Sequence, residues 1–378
     1  MPFDYETLRI IWWILLGVLL IGFAVMDGFD LGVAMWLPWL TRTNMERRIL
    51  INCVGPTWEG NQVWFILGGG AIFAAWPALY ALSFSGFYYA MLLVLLALIM
   101  RPVAFKYRSK VDNNRWRSCW DLALFISGIV PALIFGVAVG NVLQGVPFHF
   151  DTSLRPFYTG TFINLLNPFA LLCGFLSVTM LAMHGAFFIN TKTVGHIQSR
   201  ASKAGCLSAL LTSILFLIGG YCMYHCVDGY VIQHAIPHDG PSNPLYKSVI
   251  KETAAWLNNY SNLPWITVVP IGSIVMTLLA IIIAKKPVLA FICSGFSVAG
   301  IIATVGLSMF PFILPSSSNP GQSLTVWDSS SSKLTLEVML ISTIIFLPIV
   351  LTYTAWVYRV LRGKVTEETI NYDEHTAY

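Results

Sequence analysis

The 378-residue chain is 56% hydrophobic and only 11% charged, with a mean hydropathy of +0.70 and a formal net charge of +4. Because soluble domains carry about 25% charged residues, this composition excludes an ordinary soluble enzyme and predicts a polytopic membrane protein, with no nucleic acid among its partners. Aromatic residues make up 14% of the chain, which fits the belts of Trp and Tyr found at membrane interfaces.

Apolar runs long enough to cross a bilayer, about 20 residues each, recur along the whole chain. The predicted membrane-spanning helices are residues 8–36, 50–75, 78–101, 119–144, 165–190, 204–227, 264–284, 288–310 and 334–361. The predicted fold class is therefore all-α, with nine transmembrane helices in one integral-membrane domain of residues 1–378. Two long outer loops, at about 228–263 and 311–333, connect the later helices, and we expect a short helix near 246–257 in the first of them.

Basic residues concentrate in alternate connections between these helices, which hold 17 of the 22 Lys and Arg of the chain. The crowded connections contain Arg42, Arg47, Arg48, Arg101, Lys106, Arg108, Lys110, Arg115, Arg117, Lys192, Arg200, Lys203, Lys285, Lys286, Arg359, Arg362 and Lys364. Cytoplasmic loops of membrane proteins carry an excess of Lys and Arg. The pattern predicts an N-terminus outside, a C-terminus in the cytoplasm, and contact between anionic lipid and the basic loop at 106–117.

Two polar clusters interrupt the first two predicted helices. Asp27 and Asp30 are three residues apart, so they lie on one face of the first helix, and residues 58–64 place Glu59 between two indoles in the second. An ionised carboxylate at the centre of a bilayer costs roughly 2.5–3.5 kcal/mol on insertion scales. Such groups normally face a bundle interior or a water-filled path, and they indicate function.

The three carboxylates have similar predicted depths. Asp27 and Asp30 lie roughly 10–15 Å from the cytoplasmic end of the first helix, at 1.5 Å per residue. Glu59 lies at a comparable distance into the second helix, and Arg101 lies at the cytoplasmic end of the third. We therefore expect the four side chains to lie near one another.

The residues alone leave two interpretations of this cluster open. In the first, the carboxylates are structural and are neutralised by Arg101, the indole N–H groups and the amides of Asn61 and Gln62. In the second they form a proton relay from the cytoplasm, because chains of Asp, Glu and His mark such paths in membrane proteins.

Other polar residues give weaker signals. His184 is a candidate haem ligand, but no second ligand accompanies it at a characteristic spacing, so a hydrogen-bonded structural role is favoured. The helical spacing of Cys222, His225 and Cys226 suits a metal site. The favoured interpretation is that the thiols pack as small apolar groups, so no metal is expected.

Glycines mark the expected sites of close helix packing. Gly28 and Gly32 flank the second carboxylate of the first helix, and residues 68–70 are three consecutive glycines in the second helix. Small residues at these positions allow a neighbouring backbone to approach, so both groups are predicted to contact other helices.

Motifs along the whole chain resemble subunit II of the cytochrome bd-type quinol oxidases. They are residues 8–13, 22–32, 58–64, 73–77, 84–88, 101–102, 140–147, 310–317 and 324–334. The resemblance implies two four-helix bundles with a peripheral ninth helix, in a bacterial cytoplasmic membrane. It also implies a subunit of an electrogenic terminal oxidase of aerobic respiration, which oxidises membrane quinol and reduces O2 to water.

The resemblance further implies partners, cofactors and site residues. Subunit I, the expected heterodimer partner, would carry two haems b and one haem d, with none bound by this chain, and small single-helix subunits and a structural quinone are further possible members of the complex. Asp30, Glu59 and Arg101, with Asp27, would belong to a cytoplasmic proton path. Trp64 would line the mouth of an O2 route from the lipid.

An ion-coupled transporter that uses Asp27, Asp30 and Glu59 as its coupling site is the alternative. Transporters commonly contain paired repeats with broken helices in matching positions. Here the acids lie in the first two helices with no counterpart later in the chain, which favours the oxidase subunit.

Overall fold

The computed structural model describes residues 3–234 and 236–372 and is 74% helical, in agreement with the predicted all-α membrane protein. The helices are α1 (Tyr5–Met26), α2 (Gly28–Leu40), α3 (Asn44–Val54), α4 (Trp58–Ala75), α5 (Pro77–Gly86), α6 (Tyr88–Tyr107), α7 (Asn114–Gln144), α8 (Pro168–Lys192), α9 (Gly195–His225), α10 (Asn258–Asn262), α11 (Val268–Ile282), α12 (Pro287–Met309), α13 (Lys333–Val360) and α14 (Glu367–Tyr372). The strands are β1 (Phe148–Phe150), β2 (Pro156–Tyr158), β3 (Asp228–Ile232), β4 (Val249–Thr253), β5 (Phe312–Leu314) and β6 (Leu324–Thr325), paired in sequence order as two-stranded antiparallel sheets.

Within the described ranges, eight helical segments are long and apolar enough to cross a membrane. They are Tyr5–Leu40, Tyr88–Tyr107, Asn114–Gln144, Pro168–Lys192, Gly195–His225, Pro264–Ile282, Pro287–Met309 and Lys333–Val360. Each corresponds to one of the predicted spans, with ends that differ by several residues.

The predicted second span is not one continuous helix. The prediction of a single helix over 50–75 was wrong, because α3 ends at Val54 and α4 begins at Trp58. Pro56 lies in the gap and has no N–H to donate to the carbonyl of Asn52, so the helical hydrogen-bond ladder is interrupted there. The predicted third span is likewise divided, at Phe87, into α5 and α6.

Helix α2 lies between α7 and α8 at very short backbone distances. A Cβ atom added at Gly32 would collide with the Leu181 carbonyl oxygen and lie 2.8 Å from the Cα of Gly185. A Cβ at Gly128 of α7 would lie 2.6 Å from the carbonyl oxygen of Leu31. Only glycine leaves room for these contacts, which confirms the predicted close packing at Gly32 and fixes the position of α2 in the core.

The glycines of α4 have the opposite environment. A Cβ atom added at Gly68, Gly69 or Gly70 would meet no atom within 4 Å. Within the part of the chain that the structure describes, the predicted helix packing therefore has no partner at these glycines. Gly68 is buried, Gly69 is half-buried and Gly70 is exposed.

Ion pairs bring several basic connections to one end of the bundle. Arg200 Nη2 lies 2.5 Å from Glu46 Oε1, which joins α9 to α3. Asp121 of α7 accepts from Arg108 Nε at 2.5 Å and from Arg47 Nη1 at 2.7 Å. The connections around α2–α3, α6–α7 and α8–α9 therefore share one end, which we call the basic end.

The two long outer loops cover the opposite end, where they bury Arg9. Its guanidinium donates to the carbonyl oxygens of His238 and Gly240 and to the hydroxyl of Ser330. Lys247 and Asp328 form a second buried pair, with Nζ 2.6 Å from Oδ2. Burial lowers the pKa of Lys247, and the Asp328 carboxylate opposes that shift.

The short helix predicted near 246–257 is largely a strand. Residues Val249–Thr253 form β4, which pairs in antiparallel register with Asp228–Ile232. Val249, Ile250 and Thr253 are β-branched, and such residues favour strands. The prediction was wrong because the pairing partner lies about 20 residues earlier in the same loop, beyond the range of local helical spacing.

Helix α13 is peripheral, as expected for the last spanning helix. It contacts α1 and α4, and its buried residues are Leu336 and Leu340, both near its N-terminal end. Most of its apolar side chains therefore remain on the outside of the chain, where lipid or a partner can cover them.

Replacing Gly32 with Val should prevent the close approach of α2 and α8. Overpacking of a well-packed interior costs about 1–3 kcal/mol or more, so we expect a lower midpoint of thermal unfolding for the purified protein. Gly220→Val on the open face of α9 is the matched control, since a Cβ atom there meets nothing within 4 Å. Equal midpoints for the two variants would contradict this packing.

Candidate functional site

An ion pair connects the junction of α1 and α2 to α6. Asp27 ends α1 and precedes α2, and its Oδ1 lies 2.8 Å from Nη1 of Arg101, with each side chain only 1% exposed. The sequence predicted that Arg101 and the carboxylates lie near one another, and for Asp27 the structure confirms direct contact.

Asp30 lies in the first turn of α2, is 3% exposed and is the start of a line of hydrogen bonds. Asn61 Nδ2 donates to Asp30 Oδ2 at 2.8 Å. The hydroxyl of Tyr358 donates to Asn61 Oδ1 at 2.7 Å. Side chains from α2, α4 and α13 are thereby joined in one line, which we call the Asp30 chain.

Several polar atoms in this region keep unused hydrogen-bonding capacity. Among the described residues, Asp30 Oδ1, Arg101 Nε, Arg101 Nη2 and Trp58 Nε1 are buried without a hydrogen-bond partner. Leaving buried polar atoms unpaired costs about 1–3 kcal/mol each. Such groups in native proteins call for an explanation, and ordered water or a functional role is a common one.

The structure does not bring Glu59 into the cluster. Its side chain is exposed, whereas Asn61, two residues later on α4, is buried against Asp30. Residues two apart on a helix do not share a face. Glu59 therefore lies on the side of α4 opposite to Asn61 and Asp30.

Trp64 packs between α4 and α1. Its side chain is 7% exposed, and a Cβ atom added at Gly22 would lie 2.7 Å from its Cζ3. The indole thus occupies the space left by the missing side chain of Gly22.

A cavity of about 390 Å³ lies at the basic end, below the gap between α3 and α4. Pro56 and Thr57 of the gap line it, together with Lys192 at the end of α8. Tyr358 also lines this cavity while its hydroxyl holds Asn61. The Asp30 chain therefore begins at the wall of a cavity at the end of the bundle.

Both ring nitrogens of His184 are already used within the chain. Nδ1 lies 2.7 Å from the hydroxyl of Ser294, and Nε2 lies 3.0 Å from the carbonyl oxygen of Val25. The ring also stacks on Phe291, with centroids 4.5 Å apart. This is the hydrogen-bonded structural role that the sequence favoured.

The described residues contain no group of three or more His, Cys, Asp and Glu side chains that could hold a metal ion. Cys222, His225 and Cys226 lie at the end of α9, where the ring of His225 contacts Tyr221 and Tyr224.

Sequence reasoning missed Tyr358. It is 297 positions from Asn61 along the chain and stands in an apolar helix where an interfacial tyrosine is common. No local pattern distinguishes it, so only the packing of α13 against α4 identifies it.

The buried ion pair predicts a non-additive result in a double-mutant cycle. Arg101→Met alone should destabilise the protein by about 3–5 kcal/mol, because it leaves Asp27 charged and unpaired in the interior. Combining it with Asp27→Leu should recover a large part of that loss, since a buried ion pair replaced by apolar groups is often close to neutral. Thermal unfolding of the three variants measures the coupling, and strictly additive losses would contradict it.

Comparison with known proteins then relates this geometry to a family. A sequence model of the cytochrome bd terminal oxidase subunit II family matches residues 8–361. The chain is 49% identical over 377 residues to the cytochrome bd-I ubiquinol oxidase subunit 2 of Escherichia coli (strain K12), covering 99% of this chain and 100% of the relative.

Two further relatives and one solved structure agree. The probable cytochrome oxidase subunit 2 of Haemophilus influenzae is 50% identical over 99% of this chain and 100% of its own length. The cytochrome bd ubiquinol oxidase subunit 2 of Bacillus subtilis is 32% identical over 96% and 98%. A chain of the bd oxidase from Geobacillus thermodenitrificans has a TM-score of 0.67 at 16% identity, covering 94% of this chain and 98% of its own, and so shares the fold.

The match of the family model and the full-length identities lead to one conclusion: this chain belongs to the cytochrome bd terminal oxidase subunit II family.

Proposed function

We propose that this chain, as a subunit of a cytochrome bd-type quinol:O2 oxidoreductase, supplies protons from the cytoplasm to the site of O2 reduction. The observation that carries the proposal is the Asp30 chain, which links the cavity at the basic end to a buried carboxylate through Tyr358 and Asn61. Reduction of O2 to water consumes protons, and the apolar core of a membrane does not conduct them.

The residues of the path have different roles in this proposal. Asp30 is the group that takes up and releases a proton, and its unpaired Oδ1 is free to receive one. The Asn61 amide is not itself a proton carrier: it holds Asp30 and Tyr358 in position, and in this proposal water beside the three side chains carries the proton past it. Arg101, paired with Asp27, provides a fixed positive charge beside the path.

Glu59 completes the path at the surface of α4. An exposed carboxylate at this depth is costly against lipid, so a partner protein should cover it. The absence of side chains at Gly69 and the exposed Gly70 allows a helix of that partner to come close. We propose that subunit I covers this surface in a heterodimer and that Glu59 passes protons across the interface.

The haems belong in subunit I in this proposal. Two haems b and one haem d are expected there, and the engaged nitrogens of His184 support their assignment to the partner. The haems supply the electron transfer and the O2 chemistry when bound. The small single-helix subunits and a structural quinone of the complex rest on the family resemblance alone.

The same proposal includes nine crossings in two four-helix bundles with α13 outside them, as one membrane domain. The pair α3 and α4, second in chain order, is added to the eight long helices to make nine crossings. It starts at the basic end, where Glu46 meets Arg200. It ends at Ala75, whose carbonyl oxygen accepts a hydrogen bond from Ser331 N of an outer loop. In the bacterial inner membrane, the basic end would face the cytoplasm and the N-terminus the outside.

Single cysteines test this orientation. A membrane-impermeant thiol reagent should label Ser109→Cys, in the basic connection between α6 and α7, only from the cytoplasmic face, and Ser318→Cys, in an outer loop, only from outside. The native exposed thiols, Cys119 and Cys226, are first replaced with Ser. The reverse labelling pattern would contradict both the orientation and the direction of proton uptake.

Neutral isosteres test the relay. Asp30→Asn and Glu59→Gln should lower turnover by about tenfold or more, because a positioned acid–base group typically contributes 10²–10⁴-fold, while the haem spectrum of the complex stays intact. The measurement is O2 consumption per haem d in the purified complexes, and Glu59→Asp should be milder than Glu59→Gln.

Asp121→Asn is the matched control for the relay variants. Asp121 is also a buried carboxylate near the basic end, but it is paired with Arg47 and Arg108 away from the Asp30 chain, so its loss should reduce stability without slowing each assembled complex. Near-normal turnover per haem in Asp30→Asn would refute the relay role of that residue.

We also propose an O2 route from the lipid that passes Trp64. If the route passes this indole, Trp64→Ala should change the apparent KM for O2, because the space beside Gly22 then opens, while saturation by quinol stays the same. Trp64→Phe, which fills more of that space, should have a smaller effect. If neither variant alters the apparent KM for O2, the indole serves packing alone.

A further inference from the structure

The cavity at the basic end has a cationic mouth. Among the described residues, up to residue 372, its lining includes three basic side chains, Lys192, Arg362 and Lys364, and no acidic residue. Arg362 and Lys364 are exposed, so their charges stand at the opening. Glu367 and Glu368 begin the neighbouring helix α14 but do not line the cavity.

The chain turns sharply to form this mouth. Gly363, which also lines the cavity, has a φ of 134°, a conformation that residues with a Cβ atom rarely adopt. The turn follows the end of α13 at Val360 and is tied to α8, since Lys192 Nζ donates to the carbonyl oxygen of Leu361 at 2.8 Å. The three cations are thus held around one opening.

The inner wall of the cavity is mainly apolar. Phe188 of α8, Val365 and Ile370 contribute carbon surface, and Tyr358 and Thr57 add two hydroxyl groups. A volume of about 390 Å³ falls within the range of roughly 300–1,000 Å³ of small-molecule sites. The lining therefore suits an amphiphilic molecule with an anionic end and an apolar end.

The position of the cavity identifies the source of such a molecule. It lies where α8 and α13 both end, which is the level of the lipid head groups if these helices span the bilayer. Basic pockets between transmembrane helices bind anionic head groups. A free phosphate ion would leave the apolar wall of Phe188 and Ile370 uncovered, whereas an acyl chain would cover it.

We propose that this cavity binds one anionic phospholipid, with its phosphate between Lys192, Arg362 and Lys364 and the start of an acyl chain against Phe188. The bound phosphate neutralises a mouth that would otherwise repel protons. Because Tyr358 joins this cavity to the Asp30 chain, the lipid lies beside the proposed path. That functional link rests on the proposed function, but the binding site itself does not.

The test counts retained lipid, so it does not depend on turnover. The purified complex is placed in nanodiscs of phosphatidylcholine with a minor fraction of phosphatidylglycerol, returned to detergent and washed, and the phosphatidylglycerol retained is measured by native mass spectrometry. The wild-type complex should retain a phosphatidylglycerol molecule that a Lys192→Gln, Arg362→Gln, Lys364→Gln variant loses.

Two further variants make the result specific. A control variant with the three changes Lys106→Gln, Lys110→Gln and Arg115→Gln loses as many positive charges, all from exposed positions outside the cavity. This control should retain the lipid. A second variant with the changes Lys192→Arg, Arg362→Lys and Lys364→Arg keeps the three positive charges at the cavity. It should also retain the lipid, which separates a loss of binding from misfolding of the cavity Gln variant.

Three outcomes would overturn the proposal. Equal retention by the wild type and the cavity Gln variant would show that these cations hold no lipid. Loss of the lipid from the Lys106, Lys110 and Arg115 variant alone would assign it to the loop. Displacement of the lipid by millimolar inorganic phosphate would identify a free-anion site instead of a lipid site.

Discussion

The buried pair of Asp27 and Arg101 is the constraint on which much of the rest of the structure depends. Each side chain is 1% exposed, and the charged atoms are 2.8 Å apart. Removing two ions from water costs several kcal/mol for each ion, and their attraction repays this only when both are present in good geometry. The junction of α1 and α2 must therefore meet α6, and the glycine contacts of α2 with α7 and α8 hold that junction in the core.

The same neighbourhood shows how a helical scaffold provides a polar line through an apolar core. Asp30, Asn61 and Tyr358 come from three different helices and form one hydrogen-bonded line. The line ends at a cavity that Pro56 and Thr57 line, in the gap between α3 and α4. In the proposed function, this gap is the entrance through which protons reach the line that leads to Asp30.

The sequence predicted the long apolar helices well and the directions of their side chains poorly. Apolar length identified eight helices long enough to cross a membrane, and the distribution of Lys and Arg identified the connections that meet at the basic end. The sequence does not show which face of α4 turns towards α2, because both faces of α4 are largely apolar. Glu59 was therefore predicted to lie beside Asp30, whereas Asn61 occupies that position. The glycines at 68–70 were predicted to contact another helix, and the sequence does not show whether that helix belongs to this chain or to a partner. Tyr358 was missed because its contact is long-range.

The most direct test of the central claim is whether Asp30 changes its protonation during turnover. Redox-induced infrared difference spectra of the purified complex, recorded in H2O and D2O, report on individual carboxyl groups. The account predicts a carboxyl C=O stretching band that shifts in D2O, disappears in Asp30→Asn and persists in Asp121→Asn. Identical difference spectra for the wild type and Asp30→Asn, with the haem signals intact in both, would contradict it.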